Sequence, residues 1–173
     1  MKYFPKVLLG LVALFVGSAL ATACGSDEKK APPSDAFLGV WNVGQATVAV
    51  TCQGLGALSG SLSGVVNIAK GQGADLALTF TDPALAGCTL RFNVQSDASA
   101  VPVAGQSCAV SLQGIMATFT VASGTFGIVA DAGNLSLKGS ASAMFGNLPF
   151  TCAGDVTGML TRGAPADAGA DAL

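Results

Sequence analysis

The chain predicts an all-β domain, an antiparallel up-and-down β-barrel or a β-sandwich, placed behind an N-terminal signal helix. Three observations lead there. Between Phe37 and Arg162 apolar side chains recur at every second position, the mark of strands with one buried face. Breaks rich in Gly, Asn, Asp and Pro interrupt the alternation at short intervals, as hairpins do. No stretch beyond Ala23 carries the apolar spacing of a solid amphipathic helix. Many short strands with short connections stack as a sandwich or close as a barrel.

The first element is the export segment, residues 1–23. Lys2 and Lys6 form a basic start, Val7 to Leu20 is an apolar run, and small residues follow. That is the layout of a secretory signal. The run is broken by Gly10, Gly17 and Ser18 and sits at the short edge of the roughly 20 apolar residues that a membrane span needs. Ala21-Thr22-Ala23 fits the small-x-small rule of an ordinary signal peptidase, with cleavage after Ala23. Leu20-Ala21-Thr22-Ala23-Cys24 also resembles a bacterial lipoprotein lipobox, although Leu20 stands one place ahead of the leucine usual in that family. The resemblance implies cleavage at the same bond and a diacylglyceryl group on the Cys24 thiol. It also implies further acylation, as by palmitate, of the new amine. The protein would then sit in the bacterial cell envelope, held by lipid at the outer membrane in preference to the inner one. Its domain would lie in the periplasm or on the cell surface. One acyl chain anchors only marginally, and two or three hold firmly.

Cysteine arithmetic points the same way. The chain has five, Cys24, Cys52, Cys88, Cys108 and Cys152, and an odd count in an exported protein leaves one over. Lipid on Cys24 leaves four for two disulfides. Residues 24–36, the modified cysteine and a polar linker with Pro32-Pro33, read as a tether that cannot pack a core.

The β-domain spans residues 37–162. Val48, Val50 and Cys52 alternate with Thr47, Ala49 and Thr51; Cys88, Leu90, Phe92 and Val94 with Thr89, Arg91, Asn93 and Gln95; Cys108, Val110 and Leu112 with Ala109, Ser111 and Gln113. Further strands are expected at Leu62 to Ala69, Leu76 to Thr81, Ile115 to Val121, Thr125 to Ala130, Leu135 to Ala143 and Phe150 to Thr161. Turns are expected at 70–73, Asp82-Pro83, 96–98, Ser123-Gly124, 131–134 and 146–149, with one helical turn allowed between Asp82 and Gly87. The tail 163–173 is low in complexity and reads as disordered.

All four domain cysteines fall on the apolar phase of their strands. In a closed up-and-down sheet the first and last strands are antiparallel neighbours, which sets Cys52 at the end of one opposite Cys152 at the start of the other. Cys88 and Cys108 flank a hairpin turning near Asp97, with a bulge allowed by Pro102 and Gly105. The expected pairs are therefore Cys52–Cys152 and Cys88–Cys108. They are worth about 4 and about 3 kcal/mol on the chain-entropy model.

Chemistry is sparse. Charged residues are 10% of the chain and there is no histidine. The usual general base is therefore missing, and Ser-His-Asp and Cys-His arrangements are excluded. Without the signal the chain holds six basic and ten acidic residues, about −4, and no basic surface for nucleic acid. G-x-S-x-G and S-x-x-K are absent, and Gly71-Gln72-Gly73 lacks the third glycine of a dinucleotide loop. No C-x-x-C or histidine supports a metal site. A carboxylate pair has to come from Asp75, Asp82, Asp97, Asp131 and Asp155, of which four lie at turns or strand ends. The expectation is no enzyme, no catalytic residue, no cofactor and no metal.

Gly39-Val40-Trp41, on the first strand after Phe37-Leu38, resembles the first signature of the lipocalin and wider calycin barrels. The resemblance implies that Trp41 closes one barrel end under a basic side chain that follows the last strand, a place matched by Arg162. Two functional expectations stay open. The domain is a binding module for a small apolar ligand or an envelope partner, or a structural envelope protein with a filled core. A cavity lined by Phe80, Phe92, Phe119 or Phe126 favours the first, and a filled interior the second.

Overall fold

A computed structural model of the protein describes residues 35–54, 56–85, 87–145 and 148–163. The signal segment, Cys24, most of the linker, Gly146-Asn147 and the tail beyond Gly163 lie outside the described residues. Ten strands follow a 3-10 turn at Asp35–Phe37. They are β1 Gly39–Cys52, β2 Gly56–Leu62, β3 Val65–Lys70, β4 Leu76–Phe80, β5 Thr89–Ser96, β6 Ser99–Pro102, β7 Ser107–Leu112, β8 Ile115–Val129, β9 Ala132–Phe145 and β10 Leu148–Arg162. A second 3-10 turn, Pro83–Leu85, is the helical turn allowed by the sequence.

Eight strands (β1, β3, β4, β5, β6, β8, β9, β10) close into an antiparallel up-and-down barrel in chain order, with β10 returning to β1. The closing seam runs from Trp41 opposite Arg162 at one end to Cys52 opposite Cys152 at the other. β1 is long enough to serve two partners. Gly39–Asn42 pairs with β3, and Ala46–Cys52 pairs with β2. β8 does the same, pairing first with β7 and then with β6. The Trp41 end is thus an eight-stranded ring, and the far half is a six-stranded sheet edged by β2 and β7.

Those two edges meet through side chains. Gln113 Nε2 donates to Ser59 O at 3.3 Å, and Leu112 packs against Gly60. The β4–β5 connection is tied to both edges, through Asp82 to Ser63 after β2 and through Cys88 to Cys108 on β7, an arrangement that protects edges which otherwise invite strand addition.

The alternation held where side chains are large and failed where they are small. Leu62 to Ala69 is interrupted by a bend at Ser63-Gly64, with Gly64 at φ 85°, after which β3 continues along β1 in the same direction as β2. The short strand β6 lies inside what the sequence suggested was a bulged hairpin arm. Ser123-Gly124 is a bulge within β8 rather than a break. The register slips between Val121 and Ser123, so Val121 and Phe126 both face inward. Only glycine fits at 124, since a Cβ there would stand 2.3 Å from Ser136 O. The expected break at 131–134 shrinks to Ala130-Asp131, with Ala130 at φ 51° and β9 under way at Ala132. Gln113-Gly114, both at positive φ, joins β7 to β8 as a two-residue hairpin turn.

Inward residues are apolar and buried, with Trp41, Phe37, Phe92 and Phe126 completely so. Many outward residues are small and hydroxylated. Ser61, Thr47, Thr157, Ser136 and Thr125 form one row across β2, β1, β10, β9 and β8. Thr47 and Thr157 share a hydrogen bond of 3.1 Å, and Ser107 and Thr120 one of 2.8 Å. This is the reverse of a transmembrane barrel, whose apolar band faces outward.

Candidate functional site

The closed end is built from the chain's two arms. The turn at Asp35–Phe37 tucks Phe37 into the barrel mouth, where its ring lies 5.7 Å from that of Phe126. Trp41 Nε1 donates to Phe37 O at 2.9 Å, so the buried indole keeps its hydrogen bond. Trp41 meets Phe126 edge-on at 5.9 Å. The Arg162 guanidinium carbon stands 4.6 Å from the centre of the Trp41 ring. Its Nη1 donates to Leu38 O at 3.0 Å, its Nη2 donates to Ala36 O, and its Nε lies 3.5 Å from Asp131. One guanidinium therefore stacks on the indole and fastens the incoming turn to the outgoing strand. These are positioning contacts, with no group left over for chemistry.

Cys52 and Cys152 form a disulfide directly across the β1–β10 seam, with Cα atoms 4.1 Å apart. Cys88 and Cys108 form the second, with Cα atoms 5.3 Å apart. The two cysteines flank the expected hairpin, with the chain irregular at 103–106 between β6 and β7. The turn at Asp97 joins β5 to β6, while Cys108 lies on β7, which pairs with β8 and not with β5. The second bond thus ties the β4–β5 connection to the β7 edge.

Three of the five candidate aspartates, Asp75, Asp82 and Asp131, have local side-chain partners. Asp82, the buried polar residue of the described core, accepts from Ala84 N at 2.6 Å and from both the backbone N and Oγ of Ser63. It pins the β4–β5 connection to the β2–β3 turn. Asp75 accepts from Val94 N at 2.8 Å. Asp131 faces Arg162 as above, and Asp155 sits in the middle of β10 opposite Lys138. Among the described residues no cluster of three or more His, Cys, Asp or Glu side chains is suited to a metal ion.

The four phenylalanines expected as cavity walls are all buried, and two of them rest on bare backbone. Phe119 lies on Gly139 and Gly154, which are cross-strand partners on β9 and β10. A Cβ added at Gly154 would stand 2.8 Å from Phe119 Cε2, and one at Gly139 would stand 3.0 Å from Phe119 Cζ. Gly133 has the same relation to Phe126 and Trp41, at 2.9 and 3.3 Å. The inward glycines at 133, 139 and 154 let the Phe119 and Phe126 rings settle on bare backbone.

A wider concavity lies on the outside. A groove of about 740 Å³ crosses β7 to β10 near the far end. Ala109, Thr118, Ser142 and Thr151 form its floor, and Met116, Met144 and Pro149 rise at its side. A smaller hollow of about 340 Å³ lies over β1, β10 and β9 near Gln45 and Met159. Met116 and Met144 each occupy an outward, otherwise polar phase of the strand. An apolar residue out of phase is the signal that could have found them.

No family model, curated protein or solved structure matches this chain. The fold and site therefore define the class of protein only as far as a closed, disulfide-bonded antiparallel β-barrel.

Proposed function

We propose that this chain is an exported, lipid-anchored envelope protein whose barrel acts as a filled, rigid body through its outer surface, without an internal ligand. The observation that carries the reading is the seating of Phe119 on Gly139 and Gly154, and of Phe126 and Trp41 on Gly133. A barrel of this strand number either fills with side chains or holds one small ligand, and these contacts support filling. The two disulfides support an oxidising compartment. The lipobox-like segment ending at Cys24 supports the anchor.

Two experiments test it. Solvent extraction of the purified native protein followed by mass spectrometry should release no stoichiometric small molecule beyond the covalent acyl chains. A co-purifying apolar compound at one per chain would restore the ligand-binding reading. The Cys24→Ser substitution should move the protein from the membrane to the soluble fraction and remove the acyl mass. Unchanged membrane retention counts against the anchor.

A further inference from the structure

We propose that Met116 and Met144 form a binding site for a soft monovalent metal ion, copper(I) or silver(I). Both methionines point outward, on adjacent antiparallel strands, one step beyond the paired Ala117 and Ala143. Both border the same groove, and both are more than half exposed, at 62% and 58%. Cross-strand neighbours hold their Cβ atoms about 5 Å apart, and methionine has three rotatable bonds beyond its backbone. Two thioethers so placed can converge on one ion without moving the backbone. The flanking residues leave them room, since Ser111 lies opposite Met116, Pro149 lies opposite Met144, and Ala109 is in the floor.

The ion class follows from the donor. Thioether sulfur is soft and selects copper(I)-like ions over zinc, magnesium or calcium. The competing soft or imidazole donors are withdrawn. The four domain cysteines are in disulfides, and the chain has no histidine. Met159 supplies an internal control. It is exposed to the same degree, at 58%, yet its cross-strand partners are Gln45 and Asn134, so it offers one sulfur alone. Two donors on one rigid sheet act at high effective concentration, and one donor does not.

The test uses the chain from residue 24 to 173 with Cys24→Ser, so that no free thiol competes, and with ¹³C-labelled methionine methyls. Silver(I) is the probe because it does not change oxidation state during the titration. The Met116 and Met144 methyl resonances should shift together and saturate at one ion per chain. Met159 should respond only at a silver(I) concentration at least about tenfold higher. Met116→Leu or Met144→Leu keeps side-chain volume and should drop the remaining partner to the level of Met159. The proposal is overturned if the three methionines titrate alike, if none shifts, or if the single variants leave the partner's response unchanged. The outcome does not depend on whether Cys24 is lipidated.

Discussion

Adding one methyl group at Gly154 probes how the barrel is filled. The new Cβ would stand 2.8 Å from Phe119 Cε2, 3.0 Å from Cδ2 and 3.4 Å from Val50 Cγ1. Carbon–carbon contacts are comfortable at about 3.5–4.0 Å, so the ring has to retreat by about 0.7 Å in a buried site. Overpacking of this kind costs about 1–3 kcal/mol. Against it, alanine reduces the freedom of the unfolded chain and so stabilises by about 0.4–1 kcal/mol. The net expectation for Gly154→Ala is a loss of about 0–2.6 kcal/mol, centred a little above 1. In a Phe119→Leu background the obstructing ring is gone, and the same substitution should become neutral or stabilising by up to about 1 kcal/mol. The assay is urea unfolding with disulfides intact, followed by the fluorescence of Trp41, the one tryptophan in the chain, and by circular dichroism. Gly139→Ala is the contrast. Its Cβ would meet Thr120 O at 2.0 Å, a backbone atom that no side-chain change removes, so its loss should persist in the Phe119→Leu background. Equal losses for Gly154→Ala in both backgrounds would refute the claim that the ring occupies the space above that glycine.

Two further substitutions test the clamps at either end. Asp82→Ala removes the buried carboxylate that accepts from Ser63 and Ala84, charge-assisted bonds whose loss should cost about 1–3 kcal/mol in urea unfolding, with Asp82→Asn recovering part of it. An unchanged midpoint would mean that the β4–β5 connection is held by the disulfide alone. Arg162→Lys keeps the charge but loses the fork that reaches Leu38 O and Ala36 O together. It should cost about 1–2 kcal/mol and shift Trp41 emission toward that of a more solvated indole, and an unaltered spectrum would remove Arg162 from the closure.

Much of the scaffold was legible because large side chains announce their phase. Val48, Val50, Leu90, Phe92, Val110 and Leu112 all face inward as their spacing requires. The same alternation placed the four cysteines inward, and closure in chain order put Cys52 opposite Cys152. The stretch Gly56 to Leu62 was not legible, since glycine, alanine and serine carry almost no difference between faces. Nor was β6, four residues ending in a proline. The bulge at Ser123-Gly124 looked like a break because glycine there answers a tight backbone approach rather than a change of direction. The filling itself could not be read, because Phe119 meets Gly139 and Gly154 only after three strands are registered. The outer groove depends likewise on the register of β7 to β10.

The seam between β1 and β10 has a mechanical consequence. The chain enters at Asp35 and leaves at Gly163 on the same rim, where Gly163 N still donates to Val40 O at 2.8 Å. A pull applied between those two points loads the hydrogen bonds one after another from the Trp41–Arg162 rung, as in opening a zipper, and never shears them together. The peeling would run the length of the seam and stop dead at Cys52–Cys152, a covalent end-stop that confines the extension to what precedes it.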